Sequence, residues 1–226
     1  MKRVAILTSP EGCVAQEVLN PIVGIEKAGI DFTLTGLDPG PAKFESIGLA
    51  MAACEFWTPT RALLKRFAPD GHFERAPFGS IDDYDAIIIP GGFGKTFATF
   101  CRDERLHRII EHIFAKGRIV ALQCHAVIVG IWARAADGSP LLKERNVTCW
   151  PRAYERWLGM IPGVGRYFMP FGRPVQNDIE AMASVDFRWW RTPFNKHVVQ
   201  DELLFTSIGP WSAEALGNEL AKALTL

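Results

Sequence analysis

Three polar residues, Gln123, Cys124 and His125, stand between two apolar runs, Ile119 to Leu122 and Ala126 to Ala136. The first run is short enough for a buried strand, and the second is long and Ala-rich enough for a helix. A polar triplet at a strand-to-helix junction has a chemical use. The tight turn lifts its central side chain out of the sheet, and the free N–H groups of the helix's first turn point at whatever binds there. The same partial positive charge favours a thiolate over a thiol. Cys124 is therefore read as a nucleophile on an elbow, with an ordinary buried core cysteine as the alternative. A second candidate is Pro90-Gly91-Gly92-Phe93-Gly94, which follows the β-branched run Ile87-Ile88-Ile89. Its glycines allow a sharp turn and a close backbone approach, so that an N–H could stabilise an oxyanion beside the elbow. The spacing fits neither a Walker A loop nor a dinucleotide fingerprint. His107 and His112 are five apart, the wrong interval for a shared metal on one helical face, and no metal site is read.

The elements that must hold these residues follow a βα rhythm. Val4 to Leu7 reads as a first strand. A helix over 14–28 is either kinked at Pro21 or capped by Asn20, and Phe32 to Leu37 reads as a second strand. That βαβ unit favours a parallel sheet. Arg102 to Lys116 reads as a helix with Leu106, Ile109, Ile110 and Ile113 inward, stopped by Gly117. Val147 to Trp150 reads as a short strand and Arg152 to Leu158 as a short helix. A strand pair, His197 to Gln200 and Leu203 to Ile208, precedes a closing helix from Ser212. The fold class is α/β, a three-layer sandwich around a mostly parallel central sheet, in one domain spanning 1–226. Residues 42–82 and 150–194 break the rhythm and read as insertions covering the site. The second is rich in aromatics: Tyr167, Phe168, Phe171, Phe187, Trp189, Trp190 and Phe194.

Composition narrows the function classes. Lys+Arg and Asp+Glu are both 25, giving a net charge of zero, so nothing points to nucleic acid or an anionic membrane. Five scattered cysteines without a CxxC pair indicate free thiols in a reducing compartment, the cytoplasm by default. No stretch approaches the ~20 apolar residues of a membrane span.

The order strand, Pro-Gly-Gly turn, helix, strand, Cys-His, helix resembles the ThiJ/PfpI superfamily, whose flavodoxin-like fold is similar to class I glutamine amidotransferases. The resemblance covers nearly the whole chain. It is strongest to the larger branch that contains heat-shock chaperones and glutathione-independent glyoxalases (glyoxalase III). Glu17-Val18-Leu19-Asn20-Pro21, Asp83 to Gly92 and Val198 to Ala213 carry it alongside Cys124-His125. It implies Cys124 as nucleophile, and Glu17 against its sulfur, protonated and donating to a thiolate. It implies an oxyanion hole from the N–H groups of Gly92 and His125, and His125 as acid or base oriented by a carboxylate. Glu155 is the best positional match for that carboxylate. A carboxylate beside a thiolate is a like-charge conflict, so the Glu17 pKa should be raised. Adjacent side chains at a helix start diverge by ~100°, so His125 need not touch the sulfur. Three positions depart from the family pattern: Ala126 for a glycine, Phe93 for a histidine and Tyr154 for an acid. The resemblance further implies a homodimer that needs no cofactor.

The leading expectation is a cysteine enzyme acting on small reactive carbonyls, converting methylglyoxal to lactate without glutathione. The same parts suit an amidase or peptidase acting on an amide. A third reading is a stress chaperone or redox sensor without turnover, since a reactive cysteine oxidises readily.

Overall fold

In the computed structural model, which describes residues 1–54, 59–163, 165–186 and 196–226, a nine-stranded sheet runs through the chain. Its strands are β1 (Arg3–Leu7), β2 (Glu11–Cys13), β3 (Asp31–Gly36), β4 (Gly40–Phe44), β5 (His72–Pro77), β6 (Ala86–Ile89), β7 (Ile119–Gln123), β10 (Val198–Asp201) and β11 (Leu204–Ser207). They lie in the order β10-β11-β7-β6-β1-β3-β5-β4-β2. The centre, from β11 through β7, β6 and β1 to β3, is parallel throughout, while β10 and β4 each pair antiparallel with a neighbour. Every residue of β6 and β7 is buried, as their unbroken apolar runs require of central parallel strands. The sheet and its flanking helices form the three-layer α/β sandwich read from the sequence, with α5 (Gly94–Cys101) following the Pro-Gly-Gly turn and α6 (Glu104–Ala115) packed on β6 and β7. The Asp103 side chain accepts from the Arg105 N–H to start α6, and Gly117, at φ 70°, turns the chain out of it. No helix among the described residues is long and apolar enough to cross a membrane.

The first helical stretch is divided: α1 (Ala15–Leu19) and α2 (Pro21–Lys27) meet at Asn20, whose backbone stays helical and whose side chain accepts from the Thr60 hydroxyl at 2.9 Å. The proline therefore kinks the stretch, and Asn20 makes no capping hydrogen bond. The closing helix, α11 (Ala213–Thr225), crosses α2 at backbone distance. A Cβ on Gly217 would lie 2.2 Å from the Pro21 carbonyl oxygen, and one on Gly24 would lie 2.6 Å from the Gly217 carbonyl carbon.

Two segments depart from the expectations above. Residues 42–82 contain helices α3 (Ser46–Cys54) and α4 (Thr60–Phe67), but β4 and β5 join the sheet beyond β3 and do not merely cover an end of it. Gly40-Pro41 and Ala76-Pro77 hid these strands, since proline is tolerated at strand ends but breaks the pattern in the sequence. The long helix expected after His125 is a 3-10 turn (Cys124–Ile128) followed by only α7 (Val129–Trp132). Val127, Ile128 and Val129 are β-branched, a poor helix start. The chain leaves at Ala133, held by its N–H to Val129 and by the Leu141 N–H to its carbonyl. Val147 pairs only within a separate two-stranded sheet of β8 (Asn146–Val147) and β9 (Ser184–Val185). The aromatic segment forms α8 (Arg152–Gly159), α9 (Gly165–Phe168) and α10 (Val175–Glu180); Phe187, Trp189, Trp190 and Phe194 lie outside the described residues.

The α2–α11 crossing yields a direct check. Gly217→Ala forces two backbones apart, and the expected cost is about 1–3 kcal/mol of unfolding free energy in urea titration. An unchanged midpoint would mean that the helices do not cross at this distance.

Candidate active site

The site lies at the carboxyl ends of β6 and β7, where parallel sheets leave their binding crevice. Cys124 follows the last residue of β7 with φ 56°, in the left-handed region that L side chains rarely adopt. Three contacts hold that backbone. The Trp150 N–H donates to the Cys124 carbonyl at 3.4 Å. The Gln123 amide donates to the Glu17 carbonyl at 2.7 Å, and the Ser207 hydroxyl donates to the Gln123 side-chain oxygen at 3.4 Å. The Pro-Gly-Gly turn closes over the elbow. A Cβ on Gly91 would sit 2.5 Å from the Cys124 Cβ and 2.6 Å from the Glu17 Oε2, so only glycine fits there.

Four ionisable side chains meet, and Glu17, Cys124, His125 and Glu155 are all wholly buried. Glu17, on α1, accepts the Gly91 N–H at 2.8 Å and forms a hydrogen bond with the Cys124 thiol. Burial pushes its pKa from the ordinary 4.5 up to about 7, against the pull of those two donors. This matches the raised value expected. Burial likewise drives the Cys124 thiol well above its ordinary value, with the Glu17 charge adding to the rise and the His125 backbone N–H opposing it. The expectation of a thiolate is therefore corrected: desolvation outweighs the short turn's dipole, and the resting site holds a thiol that donates to Glu17.

His125 departs from the expected geometry too. Its Nδ1 lies 3.4 Å from the Cys124 Sγ, because the left-handed backbone turns neighbouring side chains together instead of leaving them a helical step apart. Its Nε2 lies 3.1 Å from the Glu155 Oε1. The carboxylate accepts, which places the ring hydrogen on Nε2 and leaves Nδ1 free to take the thiol proton. Glu155 sits in the first turn of α8, and its Oε2 accepts the Val175 N–H at 3.0 Å. The proposed oxyanion donors differ in placement. The His125 N–H is directed at the sulfur, whereas Gly92 follows Gly91 on the same turn, between the Gly12 carbonyl and the Phe97 ring. No group of three or more His, Cys, Asp or Glu side chains placed to hold a metal occurs among the described residues.

Aromatic rings roof the array. Phe93 and Trp150 stand 5.1 and 5.8 Å from the His125 ring, and Trp150 stacks on Trp211 at 6.4 Å. Trp150 stands at the start of the segment 150–194 that the sequence reads as covering the site, whereas Trp211 has no site role there, because a lone aromatic before a helix looks like core. Gln123 was seen only as part of the polar triplet.

A family model described as the DJ-1/PfpI family matches residues 2–223. Among curated proteins, a probable glutathione-independent glyoxalase of Schizosaccharomyces pombe is 23% identical over 145 residues. The match spans 64% of this chain but only 63%, under two thirds, of that relative's length. A protein/nucleic acid deglycase of Pseudomonas aeruginosa is 24% identical over 225 residues, covering 92% of this chain and 71% of that protein. Among solved structures, the Rapid Encystment Protein 24 kDa of Francisella tularensis superposes with a TM-score of 0.78 at 20% identity, covering 99% of each chain. Glyoxalase III from Candida albicans superposes with a TM-score of 0.71 at 18% identity, covering 98% of this chain and 97% of that one. These structural likenesses establish the fold.

The raised Glu17 pKa has a consequence for stability. A folded-state pKa above the unfolded one gives stability that is full below pH 4.5 and is lost as pH rises through about 7. Over that window the wild type is expected to lose roughly 3 kcal/mol that Glu17→Gln retains, measured by urea unfolding at stepped pH. Parallel pH profiles for the two proteins would contradict the assignment.

Proposed function

Because the chain belongs to the DJ-1/PfpI family, we propose that it is a cysteine enzyme acting on small reactive carbonyls in the manner of a glyoxalase III, with a 2-oxoaldehyde as substrate and a 2-hydroxy acid as product. The observation that carries this reading is the buried relay of Glu17, Cys124, His125 and Glu155. The relatives named glyoxalase and deglycase support carbonyl chemistry at low identity.

The relay suits each step. The Cys124 sulfur attacks the aldehyde carbon while its proton passes to Nδ1 of His125, 3.4 Å away, and on to the aldehyde oxygen, giving a hemithioacetal. Glu155, fixed by the Val175 N–H, steadies the imidazole and its charge during the transfer. Glu17 then takes the proton from the former aldehyde carbon and returns it to the adjacent ketone carbon, through an enediol, while the hydroxyl proton moves from the former aldehyde oxygen to the ketone oxygen. A pKa of about 7 suits a group that must both accept and return a proton near neutrality. The product of this shift is a thioester of the 2-hydroxy acid, which water hydrolyses to free the thiol. The aldehyde carbon is oxidised and the ketone carbon reduced, so water alone balances the reaction. A buried thiol also suits acyl transfer, but the proton-shuttling carboxyl at the sulfur favours the isomerising route.

The test is lactate formation from methylglyoxal without glutathione. Wild type is expected to turn over and Cys124→Ala to be inert; robust turnover by the variant would overturn the thiol route. Glu155→Gln, which leaves the ring in place but weakens its partner, is expected to lower kcat by about 10²-fold with little change in KM. The rate should rise with pH through about 7 as Glu17 becomes a carboxylate able to act as base. A rate that falls over the same range would assign the base elsewhere.

A further inference from the structure

A cavity of about 310 Å³ lies beside the candidate site, and no charged residue lines it among those described. Val14, Met51, Phe93, Trp150, Phe168 and Trp211 form its walls. It adjoins the buried relay through shared rings, while Cys124 and His125 themselves lie behind its walls. Phe93 and Trp150, which line it, are the two rings that face His125. A Cβ on Gly209 would lie 3.0 Å from the Trp150 ring and 3.8 Å from the Cys124 sulfur, so Gly209 stands between the cavity wall and the thiol. Val14 immediately precedes α1, which carries Glu17.

The mouth has the same character. Trp157 lines the cavity yet is 62% exposed, and Met160, one turn along, is 72% exposed. Apolar groups this exposed on a soluble face commonly mark a place where apolar material binds.

We infer that, with Cys124 adding to an aldehyde as proposed above, the substrate is a 2-oxoaldehyde bearing a bulky uncharged apolar group, aryl or branched alkyl, which fills this cavity. The walls disfavour the competing carbonyl classes. A sugar phosphate, a glycated lysine or arginine side chain or a nucleotide adduct would carry charge or many hydroxyls into a space with no charged partner, at a large desolvation penalty. The covalent steps are unchanged: sulfur bonds to the aldehyde carbon, one proton moves to the ketone carbon, and water releases the 2-hydroxy acid. Only the substituent on the ketone differs.

Initial rates with phenylglyoxal, yielding mandelate, and with methylglyoxal, yielding lactate, test this, both without glutathione. The expected result is a kcat/KM at least about tenfold higher for phenylglyoxal. Cyclohexylglyoxal, similar in girth but not conjugated, is expected to share the preference, which separates cavity filling from intrinsic reactivity. Met51→Trp, half-buried on α3, and Leu158→Phe, on α8, narrow the cavity and are expected to bring the ratio toward one. Methylglyoxal used as well as or better than the bulky substrates would overturn the inference and leave the carbonyl enzyme standing. So would a preference that both variants retain. No turnover of any of the three by wild type would overturn the inference together with the function on which it rests.

Discussion

The left-handed backbone at Cys124 is the constraint on which the site depends. A residue with a Cβ pays roughly 1–3 kcal/mol to sit there and persists only when its surroundings fix it. Here they do so from several directions. Gln123 is tied to α1 and approached by the Ser207 hydroxyl, the Cys124 carbonyl receives the Trp150 N–H, and the Gly91 turn closes against its Cβ. In return the elbow sets a thiol against the imidazole of its own neighbour, a contact that ordinary helical geometry would not provide. The sheet supplies the floor: β6 and β7 end side by side, so the glycine turn and the elbow share one edge.

Burial is the second influence, and it acts against simple reactivity. Burial removes water from both Glu17 and Cys124, and both hold their protons more tightly than they would in solution. A free thiolate is therefore not the resting form. On the proposed function, the thiol would lose its proton to Nδ1 of His125 only as a carbonyl binds, so that activation would depend on the substrate. The cost falls on stability above the carboxyl's ordinary pKa.

The legible part of this arrangement was local. The polar triplet between apolar runs and the Pro-Gly-Gly turn after an Ile-rich strand both mark strand ends, and both ends are where the sequence places them. Glu17 and Glu155 are separated from Cys124 by long stretches of chain, so no spacing rule could join them; family resemblance supplied both positions. What was missed has physical causes. A positive φ at cysteine has no sequence signature, because the glycine or asparagine that usually advertises it is absent, and the His125–sulfur contact was missed with it. The thiolate expectation weighed a helix dipole without knowing how deeply the thiol is buried or how short the helix is. The strands β4 and β5 carry prolines at their ends and no clear alternation. The roof formed by Phe93, Trp150 and Trp211 comes from three distant segments, each of which reads as core when taken alone.

The central claim is that the Cys124 sulfur forms a covalent bond to a carbonyl carbon during turnover. Rapid acid quench of wild type with a 2-oxoaldehyde, followed by intact-mass and peptide mass spectrometry, tests it most directly. The account predicts an added mass of one substrate on the peptide carrying Cys124, appearing within a turnover, decaying as product forms and absent in Cys124→Ser. Product formation with no adduct on that peptide at any time, or an equal adduct on the serine variant, would contradict it.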